Sequence, residues 1–219
     1  MWYLDGYTRQ VDGMDWDGNT RVYAVEGDST DDTPAALRDW AATRDAKVIT
    51  YNHGHRKFGS CQNPIRLKLL AQVANAGLDA IARDRWADAI WFVDSDYRWE
   101  PDTAARLVAH GKQAIAAYPM AESKNRGQFF YDTWGWFWRG RPFRQWGPPY
   151  HPFIKAGGIH PVDTVGGNLL FDAALCYAGA RMTEAEPIRG LCHEIAARGV
   201  QIWGDPQTTI WHLYPWSER

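Results

Sequence analysis

Five consecutive apolar residues, Ala89–Val93 (AIWFV), stand between Asp88 and Asp94. A run of strand length with no polar position on either face fits a strand buried on both sides, as in a parallel sheet between two helical layers. The neighbouring segments agree with that setting. Upstream, Pro64 opens a long helical pattern in which Leu70, Val73, Gly77, Leu78 and Ile81 recur, ending near Arg85. Downstream, Pro101 starts a helix to about His110, and Gln113–Tyr118 (QAIAAY) is again strand-like. Nearer the start, Leu4, Tyr7, Val11 and Met14 mark one face of a short helix. Arg21–Val25 reads as a strand, Pro34 to about Arg44 as a helix and Lys47–Tyr51 as a strand. The repeated helix–strand order predicts an α/β fold, a mostly parallel sheet flanked by helices. A doubly wound domain normally begins with a strand. This sequence begins with a helix, so its first strand is expected to be missing or upstream.

From Ala121 to Ile159 the character changes, with few aliphatic side chains and many aromatics, Gly and Pro. Irregular structure or short hairpins are expected there. Asp163–Phe171 (DTVGGNLLF) resumes strand chemistry, Asp172–Ala180 and Ile188–Arg198 read as short helices, and Val200–Trp203 and Thr208–Trp211 as late strands. No internal repeat or low-complexity tract is present.

Charge and cysteine usage bound the function classes. The 24 basic and 26 acidic residues give a net charge of −2, which excludes a surface coated in positive charge. A hydrophobic fraction of 45% excludes a disordered chain. Cys61, Cys176 and Cys192 are widely spaced and form no C-x-x-C, so neither a zinc ribbon nor a disulfide framework is indicated. Reduced, mostly buried thiols of a cytoplasmic protein are expected. No apolar run is long enough to span a membrane, and the opening residues resemble no signal peptide.

Asp94-Ser95-Asp96 lies at the carboxyl end of the apolar strand, where ligands of parallel α/β sheets bind. Two carboxylates one residue apart can hold a hard divalent cation against phosphate oxygens. An acidic strand-to-loop junction is the plainer reading. Three further segments bear on the choice: EGDSTDDT after the Arg21–Val25 strand, DTVGGNLLF, and VQIWGDPQTTIWH. With WFVDSDYRWEPD, they resemble, in order, the motifs of GT-A glycosyltransferases, over roughly Tyr3 to Tyr214. The stretch DYRWEPD, YPM and YDTWGW is most similar to the branch of mannan-polymerase-type mannosyltransferases with small bacterial and phage relatives.

The resemblance implies a GT-A, Rossmann-like fold in one domain over 1–219. Residues 1–120 would form the nucleotide-sugar half, 121–160 an acceptor-side insertion and 161–219 the acceptor and metal half. It implies Mn²⁺ or Mg²⁺ on Asp94, Asp96 and His212, with Asp96 the most direct ligand. It places Glu26 and Asp28 on the nucleoside, although Gly27 stands where many relatives carry Asp. Arg66 and Lys68 become diphosphate contacts, for which a solvated helix face is an equal explanation, and Ser95, Gly166 and Gly167 lie beside the donor. The acidic pair of inverting members is absent: Glu184-Ala185-Glu186-Pro187 occupies that place. Asp163, Glu184, Glu186 and Glu194 remain as possible bases, and the branch leans towards retention.

The acceptor is read from the aromatic segment. Phe129–Phe153 carries 11 aromatics in 25 residues, and Ser123–Lys155 has six basic residues against Asp132 alone. Trp134, Trp136 and Trp138 with Arg139, Arg141 and Arg144 could form a platform for sugars, or for bases and phosphates. An aromatic core is the structural alternative. Relatives that glycosylate hydroxymethylated pyrimidines in phage DNA suggest such DNA as acceptor; a glycan or glycolipid is the other choice. A nucleotidyltransferase usually carries a Gly-rich loop near its start; no such run opens this sequence, although a missing first strand could hide it, and a binding module would leave Asp94, Asp96 and His212 unexplained.

Overall fold

The computed structural model describes residues 2–54, 58, 63–145, 147–152, 154 and 157–213. Cys61, Trp146, Phe153, Lys155 and Tyr214 lie outside the described residues. The chain opens on helix α1 (Trp2–Asp12), then β1 (Val22–Glu26), α2 (Thr33–Ala41), β2 (Ala46–Thr50), α3 (Pro64–Asp84) and β3 (Ala89–Val93). A short β4 (Tyr97–Trp99) follows, then α4 (Thr103–Ala109), β5 (Ala114–Ser123) and β6 (Gly127–Phe130). The hairpin β7 (Phe137–Trp138) and β8 (Arg141–Pro142) leads to β9 (His160–Val162), β10 (Asn168–Asp172), α5 (Ala173–Tyr177), α6 (Pro187–Ala197) and β11 (Ile202–His212).

The helix–strand order expected of the first 120 residues is present, as an α/β structure with helices over a central sheet. Its main path runs β3-β10-β5-β11-β4, with β6 beside β5 and β9 beside β11. β5 pairs β11 in parallel, while β10 is antiparallel to both β3 and β5. Thus β3, β5 and β11 run one way, and β10 and β4 the other. β1 and β2 form their own parallel pair. Among the described residues no strand pairs with the second edge of β1 or of β3. The smaller pair is joined to the rest through α3: Asp84 accepts from the Tyr23 hydroxyl at 2.5 Å and pairs with Lys47, and Arg21 lies 3.7 Å away.

β5 shows why its sequence is apolar from Ala114 to Ala121. Ala114, Ala116, Tyr118 and Met120 enter one core, with Leu78 and Ile81 of α3 and Leu191 and Ile195 of α6. Ile115 and Ala117 enter a second core, with Leu107 of α4, Trp99 of β4 and Ile210 of β11. Alternate residues leave a strand on opposite faces, so a strand between two cores has no polar face. α3 starts on Asn63, whose side chain accepts the Ile65 and Arg66 N–H groups at 2.9 and 3.3 Å, with Pro64 in the first turn. The two late strands expected near the end are one strand with an irregularity between Asp205 and Thr209. Asp205 holds that break by accepting the Thr208 hydroxyl at 2.5 Å and the Gln207 N–H at 2.9 Å. Cys176 and Cys192 are free and buried. Among the described residues no helix is long and apolar enough to cross a membrane.

Candidate active site

Three elements converge at the carboxyl end of β3. The Asp94 N–H donates to the Gly167 carbonyl at 2.9 Å, which ties the D-x-D segment to the paired glycines before β10. The Leu213 N–H donates to the Asp96 carbonyl at 2.7 Å, which brings in the end of β11. His212 Nε2 then lies 3.1 Å from Asp96 Oδ2. The Tyr131 ring stacks on the His212 imidazole, with centroids 3.7 Å apart and planes 18° apart. Tyr97 meets the same imidazole edge-on at 5.4 Å. Asp94, Asp96 and His212, each inferred from the sequence, are therefore neighbours.

The glycines explain themselves locally. Gly167 has φ +71°, and a Cβ there would sit 2.5 Å from the Tyr97 hydroxyl oxygen. A Cβ on Gly166 would sit 2.0 Å from Asp132 Oδ2. One on Gly135 would meet the Gly166 Cα at 2.5 Å and Asp132 Oδ2 at 2.7 Å. Gly166 and Gly135 thus make room for one carboxylate. Asp132 Oδ1 accepts the Gly135 and Trp134 N–H groups at 2.8 and 3.2 Å. Asn168, fully buried, bridges β10 to β5 by accepting the Ala117 N–H at 3.0 Å and donating to the Ala117 carbonyl at 2.9 Å.

Negative charge concentrates here. Burial in the cleft, then the like charges of Asp96 and Asp132, raise the Asp94 carboxyl to about 8, against the pull of Arg66. Asp94 keeps a solvent-exposed edge at the mouth of this cluster. Burial also raises Asp132, opposed by its two backbone N–H donors and the positive fields of His212 and Arg189. A divalent cation relieves this kind of crowding. Carboxylate oxygens with one imidazole nitrogen are donors that suit Mn²⁺, and Asp96 Oδ2 and His212 Nε2 lie 3.1 Å apart. No group of three ligating side chains is preassembled among the described residues.

At the far end of β1, Glu26 is buried and its Oε1 accepts the Ser29 N–H at 3.3 Å. Asp28, at φ +61°, accepts the His53 and Gly54 N–H groups at 2.6 and 3.1 Å. It fastens the β1–α2 loop to the segment after β2. Gly27 has a packing reason to differ from relatives with Asp, since a Cβ would lie 1.8 Å from the Tyr51 carbonyl oxygen. Arg66 is near enough to Asp94 to act on its ionisation, whereas Lys68 pairs with Glu184 at 3.3 Å on the exposed face of α3. Ser95 is exposed between the two aspartates.

The other acids expected as bases are engaged elsewhere. Glu186 pairs with Arg189 at 3.0 Å, Glu194 with Arg198 at 2.8 Å, and Asp163 accepts the Gly140 N–H at 2.7 Å at the tip of the β7–β8 hairpin. Of the expected aromatic platform, Trp136 needs correction. It is fully buried against Tyr118 at 4.7 Å and Phe130 at 5.7 Å, with Phe143 and Tyr150 completing the cluster. It has no surface to offer an acceptor. Trp138 is half-buried with Arg139 stacked over its ring at 4.7 Å. Trp134 is 62% exposed, and its N–H is fixed by Asp132. Arg139, Arg141 and Arg144 are exposed on or beside the hairpin. The hairpin reaches the site through Phe137, whose N–H donates to the Thr164 carbonyl at 3.2 Å. Not expected from the sequence were Tyr97, Tyr131 and Asp132 beside the cluster of Asp94, Asp96 and His212. Nor was a cleft of about 680 Å³ beside His212, lined by Arg98, Lys124 and Trp211 among others.

No family model matches the chain, and no curated protein does. Solved structures do. The mannosyltransferase PcManGT from Pyrobaculum calidifontis, in complex with GDP-Man and Mn²⁺, superposes with a TM-score of 0.58 at 15% identity, over 98% of this chain and 54% of that one. S. aureus TarS residues 1–349 superposes with a TM-score of 0.59 at 15% identity, over 96% and 56%. TarS in complex with UDP gives 0.60 at 13% identity, with the same coverage. The chain has a GT-A-type glycosyltransferase fold. It spans a little over half the length of the proteins it matches.

Proposed function

We propose that the chain is a metal-dependent glycosyltransferase, moving a sugar from a nucleotide-sugar to an acceptor hydroxyl. The observation that carries this reading is the contact of Asp96 with His212 at the carboxyl end of β3, beside Asp94. Similar proteins crystallised with GDP-Man and Mn²⁺ or with UDP support it. Glu26 and Asp28 hold the nucleoside at the end of β1, and Arg66 faces the diphosphate. Asp94, Asp96 and His212 hold Mn²⁺ or Mg²⁺. Such a metal, when bound, neutralises the charge that develops on the leaving diphosphate. Tyr131 and Tyr97 fix the plane of His212, so its nitrogen is aimed before any ligand arrives.

For the acceptor, the exposed Arg139, Arg141 and Arg144 and the exposed Trp134 favour a nucleic acid, with a hydroxymethylated pyrimidine as the reacting group. A glycan stacked on Trp134 is the second reading, because that aromatic lies beside the glycines of the site. The deciding experiment incubates the protein with Mn²⁺, a panel of nucleotide-sugars and hydroxymethylcytosine-containing DNA, followed by mass spectrometry. A metal-dependent hexose-sized gain is expected for the DNA reading. Slow release of nucleoside diphosphate without a gain moves the acceptor to a glycan. Asp96→Asn is expected to lose nearly all turnover while keeping the circular dichroism spectrum; turnover at the wild-type rate would sink the assignment.

A further inference from the structure

Asp132 is the one acid of the aromatic segment, and the fold spends three positions on placing it. Gly166 and Gly135 leave the space its carboxylate fills, with a hypothetical Cβ on either glycine falling 2.0 and 2.7 Å from Oδ2. The Trp134 and Gly135 N–H groups fix Oδ1. Oδ2 takes part in neither of these bonds. Its neighbours belong to the site: Gly166, against which it packs, precedes Gly167, whose carbonyl accepts the Asp94 N–H at 2.9 Å, and Tyr131, the residue before it, stacks on His212. The exposed Trp134 follows two residues later, so an acceptor stacked there is held beside this carboxylate. The acids expected as bases from the sequence are instead paired with Lys68, Arg189, Arg198 and a hairpin N–H.

Resting on the glycosyltransferase reading, we propose that Asp132 is the catalytic base for the attacking hydroxyl and that transfer inverts the anomeric centre. The acceptor O–H gives its proton to Asp132 Oδ2 as its oxygen forms a bond to the anomeric carbon. The bond from that carbon to the diphosphate oxygen breaks, and its electron pair leaves with the nucleoside diphosphate. The proton then passes from Asp132 to water.

Asp132→Asn tests the step without dismantling the turn, because the amide oxygen accepts the same two N–H groups. Transfer is expected to fall by about 10²–10⁴-fold. Mn²⁺ and nucleoside-diphosphate binding by calorimetry, and the thermal midpoint, are expected to hold. Wild-type transfer by the variant overturns the proposal, and so does loss of Mn²⁺ binding, which would make Asp132 a metal ligand. The configuration of the wild-type product, read by NMR, is a second test that does not depend on the variant folding. An inverted product supports the base, and a retained one overturns it. If wild-type protein turns over no nucleotide-sugar and Asp96→Asn leaves Mn²⁺ binding intact, the glycosyltransferase reading itself fails and takes this proposal with it.

Discussion

At the scale of single residues, the site is built by what is left out as much as by what is present. Gly167 shows this most sharply. Its φ of +71° is strained for any L side chain, and a Cβ would press on the Tyr97 hydroxyl. Tyr97 in turn borders His212. Gly167→Ala is therefore expected to cost about 1–3 kcal/mol in stability, seen as a fall in Tm of several degrees. It should also weaken Mn²⁺ binding, because the push is transmitted to the imidazole. An unchanged Tm with unchanged metal affinity would show that Tyr97 does not hold His212 in place. Asp94 and Asp96 were marked in the sequence by the apolar run they follow, and His212 by its resemblance to the last GT-A motif; their nearness in the fold is what the structure adds. Asp132 was not, since its only sequence signal was being the single acid in a basic stretch. What distinguishes it is contact with glycines 3 and 34 positions along the chain, which no local pattern reveals.

At the scale of elements, long patterns were read well and short ones were not. The bounds of β3 match its apolar run residue for residue, but its place does not: among the described residues it is an edge strand, antiparallel to β10 and with only Ile90 buried, rather than a central strand buried on both sides; α3 falls within one residue of its expected end. α3 is long enough for a period to appear, and the limits of β3 are marked by the aspartates that bound its apolar run. β4 escaped notice: three residues directly after the D-x-D segment carry too little alternation to be seen. Its free edge is covered in an unusual way. Gln10 of α1 accepts the Trp99 N–H at 2.9 Å and donates to the Tyr97 carbonyl at 3.2 Å, so a side-chain amide does the work of a neighbouring strand. Gln10→Ala leaves both backbone groups without these partners and is expected to cost about 1–3 kcal/mol, read as a lower midpoint in urea. A midpoint within error of wild type would mean that water replaces the amide at no loss. The aromatic segment was misjudged at Trp136 for a related reason. Composition says that rings are dense there, but only packing decides whether a ring faces the solvent or another ring. Here Tyr118, Phe130, Trp136, Phe143 and Tyr150 surround one another, at roughly 0.5–1.5 kcal/mol per pair beyond their buried area.

At the scale of the whole molecule, the proposed ligand groups are divided between two bodies of unequal solidity. Asp94, Asp96 and His212 sit on the seven-stranded sheet, whose β5 residues Ala114–Ala121 are all buried. Glu26 and Asp28 sit at the end of a two-stranded pair whose side chains are mostly half-buried. A two-stranded unit is marginal by itself, and this one leans on α3, where a Cβ on Gly77 would lie 3.0 Å from the Val25 side chain. Local opening should follow that division, since the energy of exposing an amide tracks the apolar contacts that must break. Hydrogen exchange is expected to be slowest at Ile115–Ala117 of β5 and faster, on the order of 10²-fold or more, at Tyr23–Val25 of β1. UDP or GDP with Mn²⁺ should slow exchange in β1 and β2 more than in β5, because a nucleotide held by Glu26 and Asp28 at one end and by the metal at the other links the two bodies. Equal protection of β1 and β5 without ligand would mean that α3 already joins them into one cooperative unit. Slowing confined to β5 would place the nucleotide away from Glu26 and Asp28.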